Sequence, residues 1–260
     1  MRIAVMHTEL RLRARTVIAA ASGLIFLTAI VGSLFPSLGG SIGKLNLSKE
    51  VSGLIGGSDF STITGWLRTE ITSIYGPLVF SGVAILAATT TIAGEEEQRI
   101  LSLVLAQPVP RSRLVLAKAC GIALELLALS IAIFAGMLLA VVLAGGGIST
   151  GHLAAAALHL LLLSLGVGAL ALSLAAYTGR RSTAAGVAAS VTLAMFLVNG
   201  IAPALHGISW LKYLTLFYYY QGHDPLREGA YIPGLLVLVA VTILLTSAAV
   251  VLFAHRDRRG

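Results

Sequence analysis

The chain has few charged residues, and their scarcity excludes most classes of soluble protein. Only 11% of its 260 residues are Asp, Glu, Lys or Arg, whereas 57% are hydrophobic. The mean hydropathy is +0.92, and a soluble domain cannot cover its surface with so few polar groups. Cysteine is nearly absent as well: Cys120 stands alone, so no disulfide framework forms within the chain. The composition is that of a membrane protein.

Long apolar runs predict six membrane-spanning helices. A hydrocarbon core of about 30 Å needs roughly 20 apolar residues in a helix. Runs of that kind occur at residues 16–35, 75–93, 114–143, 153–176, 183–205 and 232–254. They are apolar on nearly every face, whereas the strands of a barrel would alternate polar and apolar residues. The predicted fold class is an all-α membrane protein, with one transmembrane domain over residues 1–260.

Basic residues predict the orientation in the membrane. Thirteen of the 18 lysines and arginines lie near the two termini and in the loops after the second and fourth predicted spans. Cytoplasmic loops carry such an excess, so we expect both termini on the cytoplasmic side of the cell membrane. The net charge of +7 fits contact with anionic lipid and requires no nucleic acid as a partner.

Three segments outside the main apolar runs have their own patterns. Residues 1–15 have an apolar face and a charged face, which predicts an amphipathic elbow helix in the inner headgroup layer; a disordered basic tail is the alternative. Residues 37–74 form an outer loop in which a second amphipathic helix is predicted, with Trp66 as an interfacial anchor. Residues 204–231 are rich in aromatic side chains and are bracketed by prolines. There we expect short re-entrant helices, or alternatively an ordinary aromatic belt.

Residues 95–112 are charged and interrupted by proline, although they lie between two long apolar runs. Three carboxylates follow the second predicted span, a short helix with an apolar side comes next, and Pro108 and Pro110 end it. A helix lying flat between two spans suits a membrane domain that is pushed from the cytoplasm, so we predict a coupling helix between helices 2 and 3. The predicted docking residues are Glu95, Glu96, Glu97, Arg99, Gln107, Pro108 and Arg111.

Polar residues inside the predicted spans are scarce, and no metal site is predicted. Glu125 is the only acid well inside a predicted span, and an ionisable group there is a functional candidate, although a hydrogen bond to a neighbouring helix would also explain it. For His159, a packing role is the expectation. The candidate residues of a substrate path are Glu125, Phe217, Tyr218, Tyr219 and Tyr220.

The stretch EEEQRILSLVLAQPVPRSRLVLAK resembles the signature of ABC-2 type transporter permeases. In that signature acidic residues end the second helix, a G-T-L-x-x-L-L-like helix follows, a P-V-S-R turn comes next, and a lysine opens the third helix. This chain has Arg99 and Ile100 in place of the Gly-Thr pair and Pro110 in place of the serine. The elbow, the six spans and the aromatic segment extend the resemblance over nearly the full chain.

The resemblance implies the membrane subunit of a prokaryotic, type V-like ABC exporter. Such a subunit pairs with a second permease copy, expected here as a homodimer, and with two separate ATP-binding subunits that hold ATP and Mg²⁺. The chain itself would then bind no cofactor and catalyse no reaction. Its GGSIGK sequence at residues 39–44 fails the phosphate-loop motif at two positions, so ATP hydrolysis would come from the partner subunits.

Two other classes remain as alternatives. A secondary transporter working without ATP would require intramembrane charges or broken helices in matched halves, and the sequence has no convincing example of either. A non-transporting scaffold, such as an immunity protein that sequesters a peptide, has little use for a docking segment.

Overall fold

A computed structural model describes residues 2–42, 61–94, 111–204 and 207–256. In chain order its α-helices are α1 (Arg2–Ile42), α2 (Ile63–Leu67), α3 (Gly76–Thr89), α4 (Arg111–Leu143), α5 (Thr150–Thr178), α6 (Arg181–Ile201), α7 (Leu216–Gln221), α8 (Pro225–Glu228) and α9 (Ile232–Arg256). Turns of π-helix lie at Arg68–Tyr75 and Thr90–Gly94, and turns of 3₁₀-helix at Ala202–Ala204 and Ser209–Leu214. The described residues contain no β-strand, which confirms the predicted all-α class.

Six helical stretches of the described residues are long and apolar enough to cross a membrane. They are Val17–Leu38, Ile63–Gly94, Ser112–Leu143, Thr150–Thr178, Arg181–Ile201 and Ile232–His255. Five of them match the predicted runs closely at both ends. The prediction of six spans is confirmed, and the second span is the one whose bounds differ most from the prediction.

Helix α5 is the centre of the bundle and packs against α3, α4, α6 and α9. About 67% of its span window is buried, against 11% for the first span and 17% for the fifth and the last. Ser149 caps its start by accepting a hydrogen bond from the backbone N–H of His152, and Gly179, with φ of 64°, ends it. Small side chains allow close packing against α9, where Ser173 Oγ donates to Leu245 O at 2.7 Å.

The second span begins at Ile63, whereas its predicted start was residue 75. We expected residues 60–74 to form a separate outer amphipathic helix, but α2 and the first π-helical turn continue directly into α3 as one helix, Ile63–Gly94. Thr62 caps its start, because its Oγ1 accepts from Gly65 N at 3.1 Å. The apolar face of the expected amphipathic helix, including Leu67 and Ile71, is buried in the bundle.

Trp66, which the sequence indicated as an interfacial anchor, is buried in the bundle. It is only 3% exposed, and its indole Nε1 donates to Val31 O in α1 at 2.9 Å. Its ring also meets Phe35 edge to face at 6.1 Å. The side chain therefore joins the second span to the first.

The structure bears differently on the predicted elbow, coupling and aromatic segments. Residues 2–42 form one continuous helix, so the predicted elbow is not separate from the first span, and its placement in the headgroup layer stays a prediction. Residues 95–110 of the coupling segment lie outside the described residues, and Arg111 begins α4. Short helices do occur in the 204–231 segment, whereas its re-entry into the membrane stays a prediction.

Candidate functional site

A polar cluster joins the start of the second span to α7 and α8, at the end of the bundle predicted to face outward. The cluster lies where Pro77 interrupts the backbone hydrogen bonding of the second span. In the π register, where Gly76 N donates to Ile71 O, the N–H of residue 77 would donate to Thr72 O; in the α register it would donate to Ser73 O. Proline has no N–H, so Pro77 supplies a donor to neither carbonyl.

Side chains of α7 supply the missing donors. The hydroxyl of Tyr220 donates to Thr72 O at 2.6 Å, and the amide of Gln221 lies 3.4 Å from Thr72 O and 3.5 Å from Ser73 O. Asn199 of α6 donates in turn to Gln221 Oε1 at 3.3 Å. Three separate helices therefore meet at one break in the backbone hydrogen bonding.

Tyr220 makes the strongest of these contacts. It is 2% exposed, and burial raises the pKa of its hydroxyl well above the ordinary value for tyrosine. The hydroxyl therefore keeps its proton and acts as a donor throughout the pH range in which the protein can be assayed.

An ion pair lies beside these hydrogen bonds. Asp224 Oδ2 is 3.1 Å from Arg68 Nη1 in the second span and 3.5 Å from Arg227 Nε in α8. The aspartate side chain is only 10% exposed, against 31% for Arg68 and 46% for Arg227. Neither contact has hydrogen-bond geometry, so the attraction between the buried carboxylate and the two cations is chiefly coulombic.

A small cavity separates the hydrogen bonds from the ion pair. Residues of the second span, α5, α7 and α8 line it, among them Arg68, Ser73 and Asp224. Its free volume of about 10 Å³ has room for roughly one water molecule. The cluster is thus compact and polar, with space for solvent at its centre.

The predicted substrate-path residues fall in different surroundings. Tyr220 belongs to the polar cluster, whereas Phe217 is buried and meets Phe196 of α6 at 5.5 Å. Tyr218 and Tyr219 belong to an aromatic group nearer the surface, where their ring centroids are 5.2 Å apart. Their role in a substrate path stays a prediction.

The structure also shows where the polar residues predicted inside the membrane spans lie. Glu125 is half-buried on α4 and does not line the cavity. His159 is fully buried on α5, with its Nδ1 2.8 Å from Ala155 O. The predicted docking residues Glu95, Glu96, Glu97, Arg99, Gln107 and Pro108 lie outside the described residues.

Sequence reasoning missed Arg68, Thr72 and Asp224 as members of one site. A signal was present in Pro77, because a proline inside a span leaves carbonyls that need another donor. The sequence alone does not indicate which donor arrives, since Tyr220 is 148 residues beyond Thr72 in the chain.

The six apolar helices, most of them packed around α5, define a multi-pass helical membrane protein. The sequence model of one family, described as ABC-2 family transporter protein, matches residues 3–258. Because the match covers nearly the whole chain, the chain belongs to the ABC-2 transporter family, and it is a membrane permease component of an ABC transporter. Members of this family associate with ABC ATP-binding subunits. No curated protein matches the sequence.

Proposed function

We propose that the chain is the membrane-spanning permease subunit of an ATP-driven exporter and forms its translocation path. The observation that carries the proposal is the family match over residues 3–258, together with the acidic and proline-containing segment that follows the second span. This segment, residues 95–112, is the proposed docking site for the ATP-binding subunits. ATP and Mg²⁺ are held by those subunits, and this chain only responds to them.

The second span supports a mechanical role for the docking segment. It is one helix from Ile63 to Gly94, so a single rod connects the polar cluster at one end to the residue directly before the docking segment at the other. A helix transmits displacement better than a loop, because its backbone hydrogen bonds, apart from those that Pro77 cannot make, resist bending. ATP-driven closure of the partner subunits would therefore move both ends of this helix.

A second permease copy is part of the proposal. The first, fifth and last spans have only 11%, 17% and 17% of their span windows buried, and these faces meet either lipid or a second copy. We propose a homodimer in the cell membrane, with both termini cytoplasmic and the substrate moved outward between the two copies. Glu125 and the residues from Phe217 to Tyr220 are the first candidates for the path.

Docking is tested by a pull-down of the tagged chain from native membranes in mild detergent. We expect a soluble P-loop ATPase to co-purify. The double variant Glu96→Lys, Pro108→Ala should lose most of this ATPase, because it reverses a charge and removes a helix stop in the docking segment. The control Glu125→Gln, which removes a charge inside a span, should keep it.

The same experiment separates the alternatives. If the double variant retains the ATPase at the parent level, the docking assignment fails. Recovery of the parent chain alone, or as a homo-oligomer without ATPase activity, would favour a secondary transporter or a non-transporting scaffold.

A further inference from the structure

We propose that the polar cluster is a latch that opens during the transport cycle and that Asp224 then loses Arg68 and keeps Arg227 as its partner. In the closed form Asp224 pairs with Arg68 of the second span, and Tyr220 donates to Thr72 O. In the open form Asp224 keeps only Arg227, which lies on its own segment. The inference rests on the proposed function, because the second span carries the movement from the docking segment.

Asp224 has two cationic neighbours on different elements. Breaking a buried ion pair normally leaves an uncompensated charge, which is strongly unfavourable. Here Arg227 lies at i+3 from Asp224 with Nε 3.5 Å from the carboxylate, so it stays close when Arg68 leaves. Separating the second span from α8 therefore costs less free energy than breaking a buried ion pair that has no second cation.

Water can replace the contacts that are lost when the latch opens. The cavity between Tyr220 and Asp224 already has room for roughly one water molecule. It borders Thr72 and Ser73, whose carbonyls have no backbone donor from Pro77. A water entering there supplies the donor that Tyr220 withdraws, so opening leaves no buried carbonyl unsatisfied.

The boundary that opens lies between α8 and the start of the second span. The segment around α8 is tied to α5, because His152 Nδ1 lies 3.1 Å from Leu226 O. The start of the second span is tied to α1 through Trp66 and Val31, and its continuation α3 packs against α5. The latch therefore bridges two segments, each of which keeps its own attachment when the latch is open.

The test measures how fast a buried cysteine reacts. Ser73 is 1% exposed and borders the cavity, so Ser73→Cys in a Cys120→Ser background reports opening through its reaction with a water-soluble maleimide. The permease is assayed in complex with its co-purified ATPase subunits, first without nucleotide and then during ATP hydrolysis. Trp210→Cys, at a position that is 57% exposed, is the control. It checks that the maleimide is active and that the reaction is quenched equally in every sample.

The expected result is slow reaction at rest and reaction at least about tenfold faster during hydrolysis. Arg68→Gln should accelerate the reaction at rest by about tenfold, because it removes one of the two cations that attract the carboxylate of Asp224. Arg227→Gln should act in the opposite direction and slow the reaction during hydrolysis, because it removes the partner of Asp224 in the open form. A purely structural ion-pair network would give the same sign for both variants.

Several results would overturn the latch. One is a Ser73→Cys reaction that stays slow in every variant while the complex hydrolyses ATP; another is acceleration by Arg227→Gln equal to that by Arg68→Gln. If Arg68→Gln is not recovered folded, Tyr220→Phe replaces it with the same expectation. If no ATPase co-purifies, the proposed function fails, but the comparison of the variants without nucleotide still tests the latch.

Discussion

Replacement of Tyr220 by phenylalanine isolates the hydrogen bond at the break in the second span. The substitution preserves the ring and removes only the hydroxyl that donates to Thr72 O at 2.6 Å. Pro77 provides no alternative backbone donor, and the amide of Gln221, 3.4 Å away, and a water in the adjoining cavity compensate only in part. An unsatisfied buried acceptor costs about 1–3 kcal/mol, of which we expect about 1–2 kcal/mol to remain.

The expected change is measurable as a thermal shift. A destabilisation of 1 kcal/mol lowers the Tm of a domain of this size by about 2–4 °C, so Tyr220→Phe should lower it by about 2–8 °C. The assay is thermal denaturation of the purified permease in detergent, followed by size-exclusion chromatography of the folded fraction.

Tyr219→Phe is the matched control. Its hydroxyl donates to Tyr213 O at 3.0 Å within the same segment, but that contact is exposed, so water replaces it and the shift should be about 1 °C or less. The reasoning is refuted if Tyr220→Phe lowers the Tm no more than Tyr219→Phe does.

Three further substitutions test the packing of the spans by the same denaturation assay. Trp66→Phe removes the hydrogen bond to Val31 O between the first two spans and should lower the free energy of unfolding by about 1–2 kcal/mol. Gly76→Ala places a Cβ 2.5 Å from Ile71 O, so the π-helical turn must shift, at about 1–3 kcal/mol. Ser173→Ala removes a donor to the last span and should cost about 1 kcal/mol.

Each of these substitutions has a control of the same residue type. Trp210→Phe changes an exposed tryptophan, and Gly82→Ala adds a Cβ with nothing within 4 Å, so both should leave the Tm nearly unchanged or raise it. Ser164→Ala removes a hydroxyl that bonds within its own helix, to Leu161 O. A control that destabilises as much as its partner would contradict the contact assigned to that partner.

The number and placement of the spans could be predicted from the sequence. The thickness of the bilayer requires about 20 apolar residues in each spanning helix, and runs of that length are visible in the sequence. The early start of the second span could not be predicted in this way. Arg68 and Glu70 give residues 60–74 an amphipathic pattern that is typical of an interfacial helix. In the structure the apolar face of this stretch packs in the bundle, and Arg68 is neutralised by Asp224 from a distant part of the chain.

Trp66 shows the same limit at the level of one side chain. A tryptophan near the end of a span usually lies at the membrane interface, whereas this one is buried by its contacts with Val31 O and Phe35 of α1. The polar cluster could be predicted from the sequence only in part. Pro77 indicates carbonyls that lack a backbone donor, and residues 213–228 contain many side-chain donors. Which donor meets which carbonyl depends on how α7 packs against the second span, and no local pattern encodes that packing.

The most direct test of the central claim is native mass spectrometry of the complex extracted from its own membranes, combined with an ATPase assay of the same sample. The account predicts two copies of this chain with two P-loop ATP-binding subunits, and ATPase activity that disappears when the subunits dissociate. A particle containing only this chain and no ATPase activity would contradict the assignment as the permease of an ATP-driven exporter.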